Sequence, residues 1–346
     1  MNSKFGLGSL VVGAALLPLF VGAADYTLKS APQSLADWRS GAFYEGEAAP
    51  PEDYSATIII PEGLECLVND DAMEFANGIR WFRTKGATSV IAFDVSTNSD
   101  LSASVAAGGQ PWRDAGVLRK QGAGQLSLTS TGRDTTYGDY WVDLEVRTGF
   151  LRLEAGGYYG GWDIAEGAEV ILVGGTSAVR NFYIYSPKGL TGKGIVTNCT
   201  DVAGKCGLSF NSAPDVAPVF AGRILGKVTL SSSGNQDLVG TGSTIESVTT
   251  RDGGMLGLSV IGRKGDPNST IGTVETLVCR IQTPGSYRYV GQGETTDKTI
   301  QFGGYDNKGR AGFDAGAYGG VTFEGSFLMG YGGVADRALL PEFETR

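Results

Sequence analysis

From about Ala56 onward the chain is a succession of short alternating runs. Examples are Leu126-Ser127-Leu128, Leu144-Glu145-Val146, Leu151-Arg152-Leu153, Phe182-Tyr183-Ile184, Val228-Thr229-Leu230 and Ile300-Gln301-Phe302. Each places apolar side chains at i and i+2 around a polar one, the period of a strand buried on one face. Turn signals follow almost every run, among them Thr148-Gly149, Lys188-Gly189, Asp252-Gly253-Gly254 and Gly303-Gly304. The expected class is therefore all-β. Helical signal is thin: Asp71 to Arg83 admits one short amphipathic helix or two strands split at Asn77-Gly78. Strand-like runs on both flanks favour the second reading.

Two architectures produce many short alternating strands, a parallel, right-handed β-helix of irregular rungs and a β-sandwich. The loose recurrence of a strand-turn unit favours the β-helix. No low-complexity run divides residues 56–346, which read as one elongated domain. Residues 25–55, with Pro32, Pro50 and Pro51, read as an extended entry segment. Residues 1–24 have the form of a secretory signal: Lys4, an apolar stretch from Leu7 to Val21, and small residues at Val21-Gly22-Ala23-Ala24. Export to the extracellular space, a bacterial cell surface or the periplasm is the expected address. After cleavage, no remaining apolar run approaches the ~18 residues of a membrane-spanning helix.

One stretch carries a more specific pattern. Leu118-Arg119-Lys120-Gln121-Gly122-Ala123-Gly124-Gln125-Leu126-Ser127-Leu128 is followed by Tyr137-Gly138-Asp139 and then by Val146-Arg147-Thr148-Gly149-Phe150-Leu151-Arg152-Leu153. Residues 117–155 thereby resemble the autotransporter-associated β-strand repeat, Leu-x-Lys-x-Gly-x-Gly-x-Leu-x-Leu with a Tyr-x-Gly turn and a closing strand. The resemblance implies a β-helical passenger that is secreted or displayed at a bacterial surface. In such a coil the Leu-x-Leu pairs stack between rungs and the glycines take the corners. Lys120 reads as a solvated corner side chain.

Composition narrows the chemistry. The 54 glycines accompany 41% hydrophobic residues, too apolar for a disordered chain, so glycine must serve turns and close packing. A formal net charge of −9 offers no general attraction for nucleic acid or anionic lipid. The chain has no histidine, which removes Ser-His-Asp and Cys-His nucleophilic catalysis and His-ligated zinc. Carboxylate chemistry, Lys or Arg bases and oxygen-ligated calcium remain, and no cofactor is implied. Four cysteines suit an oxidising compartment. Cys199 and Cys206 bracket a short polar turn and form one candidate disulfide, with Cys66 and Cys279 as the other pair or as buried thiols.

Three local groupings are candidates for function. Asp134, Asp139 and Asp143 lie close together in the sequence beside Tyr137, Tyr140 and Trp141. Two carboxyls ~5–9 Å apart beside aromatic platforms would suit glycoside hydrolysis, although Asp139 and Asp143 also read as solvated turn positions. On the glycine-rich segment Gly156–Asp163, exposed Tyr158, Tyr159 and Trp162 could stack on sugar rings, or Tyr158 or Trp162 could fold back over a corner. Asp306-Asn307-Lys308-Gly309 and Gly265-Asp266-Pro267-Asn268 fit Asx turns better than calcium loops. The expected function is a non-catalytic, exported scaffold or adhesin-like protein whose partner is polysaccharide or a host or cell-surface glycan. A carboxylate-based polysaccharide lyase or hydrolase and a carbohydrate-binding module are the alternatives. Uncapped coil ends also make self-association an expectation.

Overall fold

The computed structural model describes residues 24–107, 116–129, 138–140, 142–154, 156–175, 179–199, 204–212, 214–280, 285–303, 312–314 and 319–329. They form a parallel β-solenoid of about nine turns, so the sandwich alternative falls away. A first face is an eleven-stranded sheet running from Glu65–Asn69 to Gly312–Asp314. A second is six-stranded, from Ser99–Leu101 to Arg223–Leu225. The third comprises a four-stranded sheet, Ala24–Thr27 to Ser104–Ala107, and a nine-stranded one, Gly138–Tyr140 to Phe327–Met329.

The period-2 pattern builds this coil because each inward residue stacks on its counterpart one rung away. On the first face one inward column runs Cys66, Ile91, Leu118, Leu144, Trp162 and Leu190. The next runs Val68, Phe93, Lys120, Val146 and Ile164. Apart from Lys120 these are apolar, and all are buried, each contributing roughly 1.5–3 kcal/mol for a side chain of Val, Leu or Phe size. Rung length varies, from Leu118 to Leu144, then Trp162, then Leu190, and the corners absorb the difference.

Lys120 corrects the sequence-based expectation. It is not solvated but fully buried, in the inward column between Phe93 and Val146. Its Nζ donates to the carbonyls of Gln121 and Gly122, each at 2.7 Å, and of Thr148 at 3.3 Å. These carbonyls belong to two stacked corners. Gly122 and Gly149 have φ of +80° and +68°, and a Cβ on Gly149 would sit 2.4 Å from the Gly122 oxygen. The repeat's lysine is thus the donor that its glycine corners require, since buried carbonyls without partners are costly. Lys298, also fully buried, does the same for the carbonyls of Gly272, at 3.0 Å, and Val274.

Two further expectations change. Met73–Gly78 is a short helix following a 3-10 turn at Asp70–Ala72, and only Trp81–Thr84 is a strand. Asn69 caps the turn by accepting from the Ala72 amide at 3.2 Å, and Met73, Phe75 and Ala76 are buried beneath it. Residues 25–55 contain more than an extended strand: Leu35–Trp38 is helical, and Leu28, Trp38 and Tyr44 are buried. Trp38 stacks on Phe75 at 5.5 Å, and Tyr44 donates to the Trp38 carbonyl.

All four cysteines are buried as thiols. A Cys66–Cys279 disulfide is geometrically excluded. The rung of Cys66 and that of Cys279 are separated by nine ladder steps of about 4.8 Å, far beyond the reach of a disulfide. Cys199 and Cys206 lie closer, but each thiol accepts a hydrogen bond from elsewhere. Asn198 donates to Cys206 at 3.0 Å and Arg152 to Cys199 at 3.2 Å.

Burial brings the Lys120 ammonium down to about 8, against an unfolded value of 10.5. The folded state therefore binds this proton less tightly than the unfolded chain. The resulting penalty is complete below pH 8 and fades as pH rises through 10.5. Lys120→Met should cost about 1–3 kcal/mol near neutrality by orphaning the corner carbonyls. In urea titrations, the advantage of the native protein over this variant should widen between pH 8 and 10.5. A constant difference would show that Lys120 titrates normally.

Candidate functional site

The outward positions of the faces carry the polar chemistry, and the ladder brings together residues far apart in sequence. On the first face Arg119, Glu145, Asp163 and Thr191 fall in register on successive rungs. Arg119 bridges Glu65 and Glu145, the latter at 2.8 Å. Arg147 bridges Glu145 and Asp163, both at 2.9 Å, and the Thr191 hydroxyl reaches Asp163 at 3.1 Å. Burial works to raise the Glu145 carboxyl, but Arg119 and Arg147 prevail and hold it below its ordinary value. Further along, Arg288 grips both oxygens of Asp237, at 2.6 and 2.7 Å, across the intervening rung. That rung presents Gly257, where a Cβ would lie 1.9 Å from an Asp237 oxygen. Pairs this exposed contribute roughly 0.2–1 kcal/mol each, and their continuity ties rungs together.

Of the three aspartates singled out in the sequence, Asp134 lies outside the described residues. Asp139 is placed by its backbone on the third face, in register with Tyr158, and its side chain lies outside the described set. Asp143 is buried rather than solvated. One oxygen accepts from the Gly161 amide at 2.6 Å, and the other pairs with Lys188, while Gly160 packs so tightly that a Cβ there would meet Asp143. A carboxylate held this way fastens the corner between the third and first faces. Among the described residues no cluster of three His, Cys, Asp or Glu side chains could hold a metal ion.

The aromatic platform is also corrected. Tyr159 and Trp162 are buried, because they occupy inward positions opposite Ile184 and between Leu144 and Leu190. Their rings meet edge-on at 5.5 Å, and Tyr159 stacks on Phe182 at 6.1 Å. Neither reaches a ligand at the surface. The Tyr158 side chain lies outside the described residues.

Sequence reasoning missed the third face. Its outward residues form two rows along the solenoid. One passes through Thr229, Ser247 and Thr276 to the buried Thr299, the other through Tyr183, the buried Ser209, Ser231, Thr249, Val278 and Gln301. The Ser209 and Ser231 hydroxyls lie 2.9 Å apart, and Ser247 donates to Thr229 at 3.3 Å. Between Tyr183 and Gln301 neither row carries a charge, and beyond Tyr183 the second row continues through Tyr158 to Asp139. The signal was present as polar positions within Val228-Thr229-Leu230 and its neighbours, but only the register aligns them. The second face differs again: Phe150 is 41% exposed there and stands in one outward row with Glu169 and Ile195. Burial raises the Glu169 carboxyl above its ordinary value.

With this geometry in view, known proteins offer one point of comparison. The chain is distantly similar to an autotransporter adhesin. Over 291 residues it is 25% identical to a protein described as adhesin BmaC autotransporter, from Brucella suis biovar 1 (strain 1330). The alignment covers 81% of this chain and only 8% of that protein. No family model matches the chain, and no solved structure does. The likeness and the parallel solenoid together fit an autotransporter-like β-helix.

Trp162→Ala tests the inward placement. Removing a fully buried indole should cost about 3–5 kcal/mol and lower the melting temperature. An unchanged melting temperature would return Trp162 to the surface.

Proposed function

We propose that this chain is an exported, non-catalytic, adhesin-like scaffold displayed at a bacterial surface. The observation that carries this reading is the organisation of its polar groups. They lie in rows along an elongated solenoid, and the first-face carboxylates are matched to arginines instead of converging on a reacting bond. Such a body holds a repetitive surface rigidly away from its point of attachment, which suits contact with an extended partner. The distant similarity to an autotransporter adhesin supports the same reading. Residues 1–24 are proposed to direct export.

Two measurements test this proposal. Residues 1–24 fused to a reporter active only outside the cytoplasm should restore reporter activity, and a silent fusion would count against export. The purified protein, incubated with plant, algal and mucin-type polysaccharides with and without calcium, should release no new reducing ends or unsaturated sugars. Release of either product would replace the scaffold reading with a carbohydrate-active enzyme.

A further inference from the structure

We infer that the contact surface is the pair of hydroxyl rows on the third face, and that its ligand is an uncharged polysaccharide lying along the solenoid axis. This rests on the scaffold reading and adds to it a face and a ligand class. The rows are a product of register: Thr229 and Ser231 on one rung stand against Ser247 and Thr249 on the next, with Thr276 and Gln301 beyond and the buried Ser209 before them. Rungs repeat at about 4.8 Å, so a polymer lying along the axis meets a hydroxyl pair on two successive rungs, then Thr276 and Gln301 farther on.

Charge selects the ligand. The chain as a whole is strongly acidic, at −9, yet from Thr229 to Gln301 neither row carries a charge, and Asp139 stands beyond Tyr183 and Tyr158 in the second row. Charges border it: Lys205 pairs with Glu246 on one side, and on the other stand Arg251, paired with Asp252, and the strand-end position Arg280. A polyanion would be repelled by the chain and would find no cation in the rows. A polycation would find its counter-charges elsewhere. A charged group pressed onto the strip would lose hydration without gaining an opposite partner.

A folded protein partner would need apolar anchors at the centre of the contact, where this face offers hydroxyls. A neutral sugar polymer needs what the strip has. Hydroxyls that both donate and accept match its own, and an aromatic platform stands at one end, where Tyr183 and Tyr185 lie 6.3 Å apart at 51°. Individual contacts of this kind are weak, and repetition along a rigid row multiplies them.

The test is affinity electrophoresis of the full chain through gels containing neutral polymers (β-glucan, mannan, xylan, amylose) or anionic ones (alginate, heparin). At least one neutral polymer should retard the protein, and the anionic ones should not. Ser231→Lys combined with Thr249→Glu places opposite charges on facing positions, preserving net charge and mutual pairing. This variant should bind at least about tenfold more weakly with an unchanged melting temperature, and Tyr183→Ala should weaken binding several-fold. Arg147→Ser, on the first face, should bind as the native protein does. Retardation by none of the neutral polymers, or equal retardation of the native protein and the double variant, overturns the inference. So does a dimer that the double variant dissolves, since a second copy would then occupy the strip. Adherence to cells that survives the double variant would refute the strip while leaving the scaffold reading intact, and product release would refute the scaffold itself.

Discussion

Everything in this molecule depends on one constraint: each inward side chain must stack on the equivalent side chain one rung away. A parallel ladder allows no slippage, because a shift of one residue would exchange the buried row for the exposed one. Rungs of unequal length are tolerated only because the corners take up the excess. At the corner of Gly122 and Gly149 the backbone turns through positive φ, and the two turns approach more closely than a Cβ would permit. Closeness of that kind directs carbonyl oxygens inward. A charged nitrogen in the middle of an apolar column is the answer to that problem, and Lys120 and Lys298 supply it at separate corners.

The same constraint explains what could be read in advance. Alternation in runs such as Leu144-Glu145-Val146 and Phe182-Tyr183-Ile184 reports directly on which side chains are buried, so the fold class was legible. Lys120 was misread because residue type was weighed above position. Its place in the Leu-x-Lys alternation already put it inside, in line with Leu118. For Trp162 two readings stood open, an exposed platform or a side chain folded back over a corner. The glycine-rich neighbourhood left them undivided, whereas the alternation of Trp162-Asp163-Ile164 is that of a strand and its burial decides for the inside. The helix at Met73–Gly78 was obscured by its brevity, since six residues show too little of a 3.6-residue period to outweigh β flanks. The cysteines mislead for another reason. Pairing depends on distance along the coil, which spacing in sequence does not report.

What stayed hidden is the alignment of outward residues, because it depends on the lengths of the loops between strands. Glu65, Arg119, Glu145, Arg147 and Asp163 form one network though they span almost a hundred positions. Arg288 finds Asp237 only because Gly257 leaves a gap between them. The two hydroxyl rows arise in the same manner, and no short window of sequence contains them. Candidate sites sought as local motifs, such as Asp134 to Asp143 or Gly156 to Asp163, were sought at the wrong scale.

This separation of inside from outside has a consequence for how such a chain acquires partners. Stability resides in the inward columns and corner donors, where a change at Trp162 or Lys120 disturbs the packing of adjacent rungs. Most outward positions are half-exposed and contribute little individually, so they can be rewritten one residue at a time without endangering the coil. The first face uses that freedom to tie neighbouring rungs with alternating charge. The third keeps its two rows neutral from Thr229 to Gln301. A hydroxyl in place of a charge there forgoes rung-to-rung ion pairing, and the strip retains its capacity to bond outward. The two faces therefore answer different demands on one ladder, cohesion on the first and contact on the third.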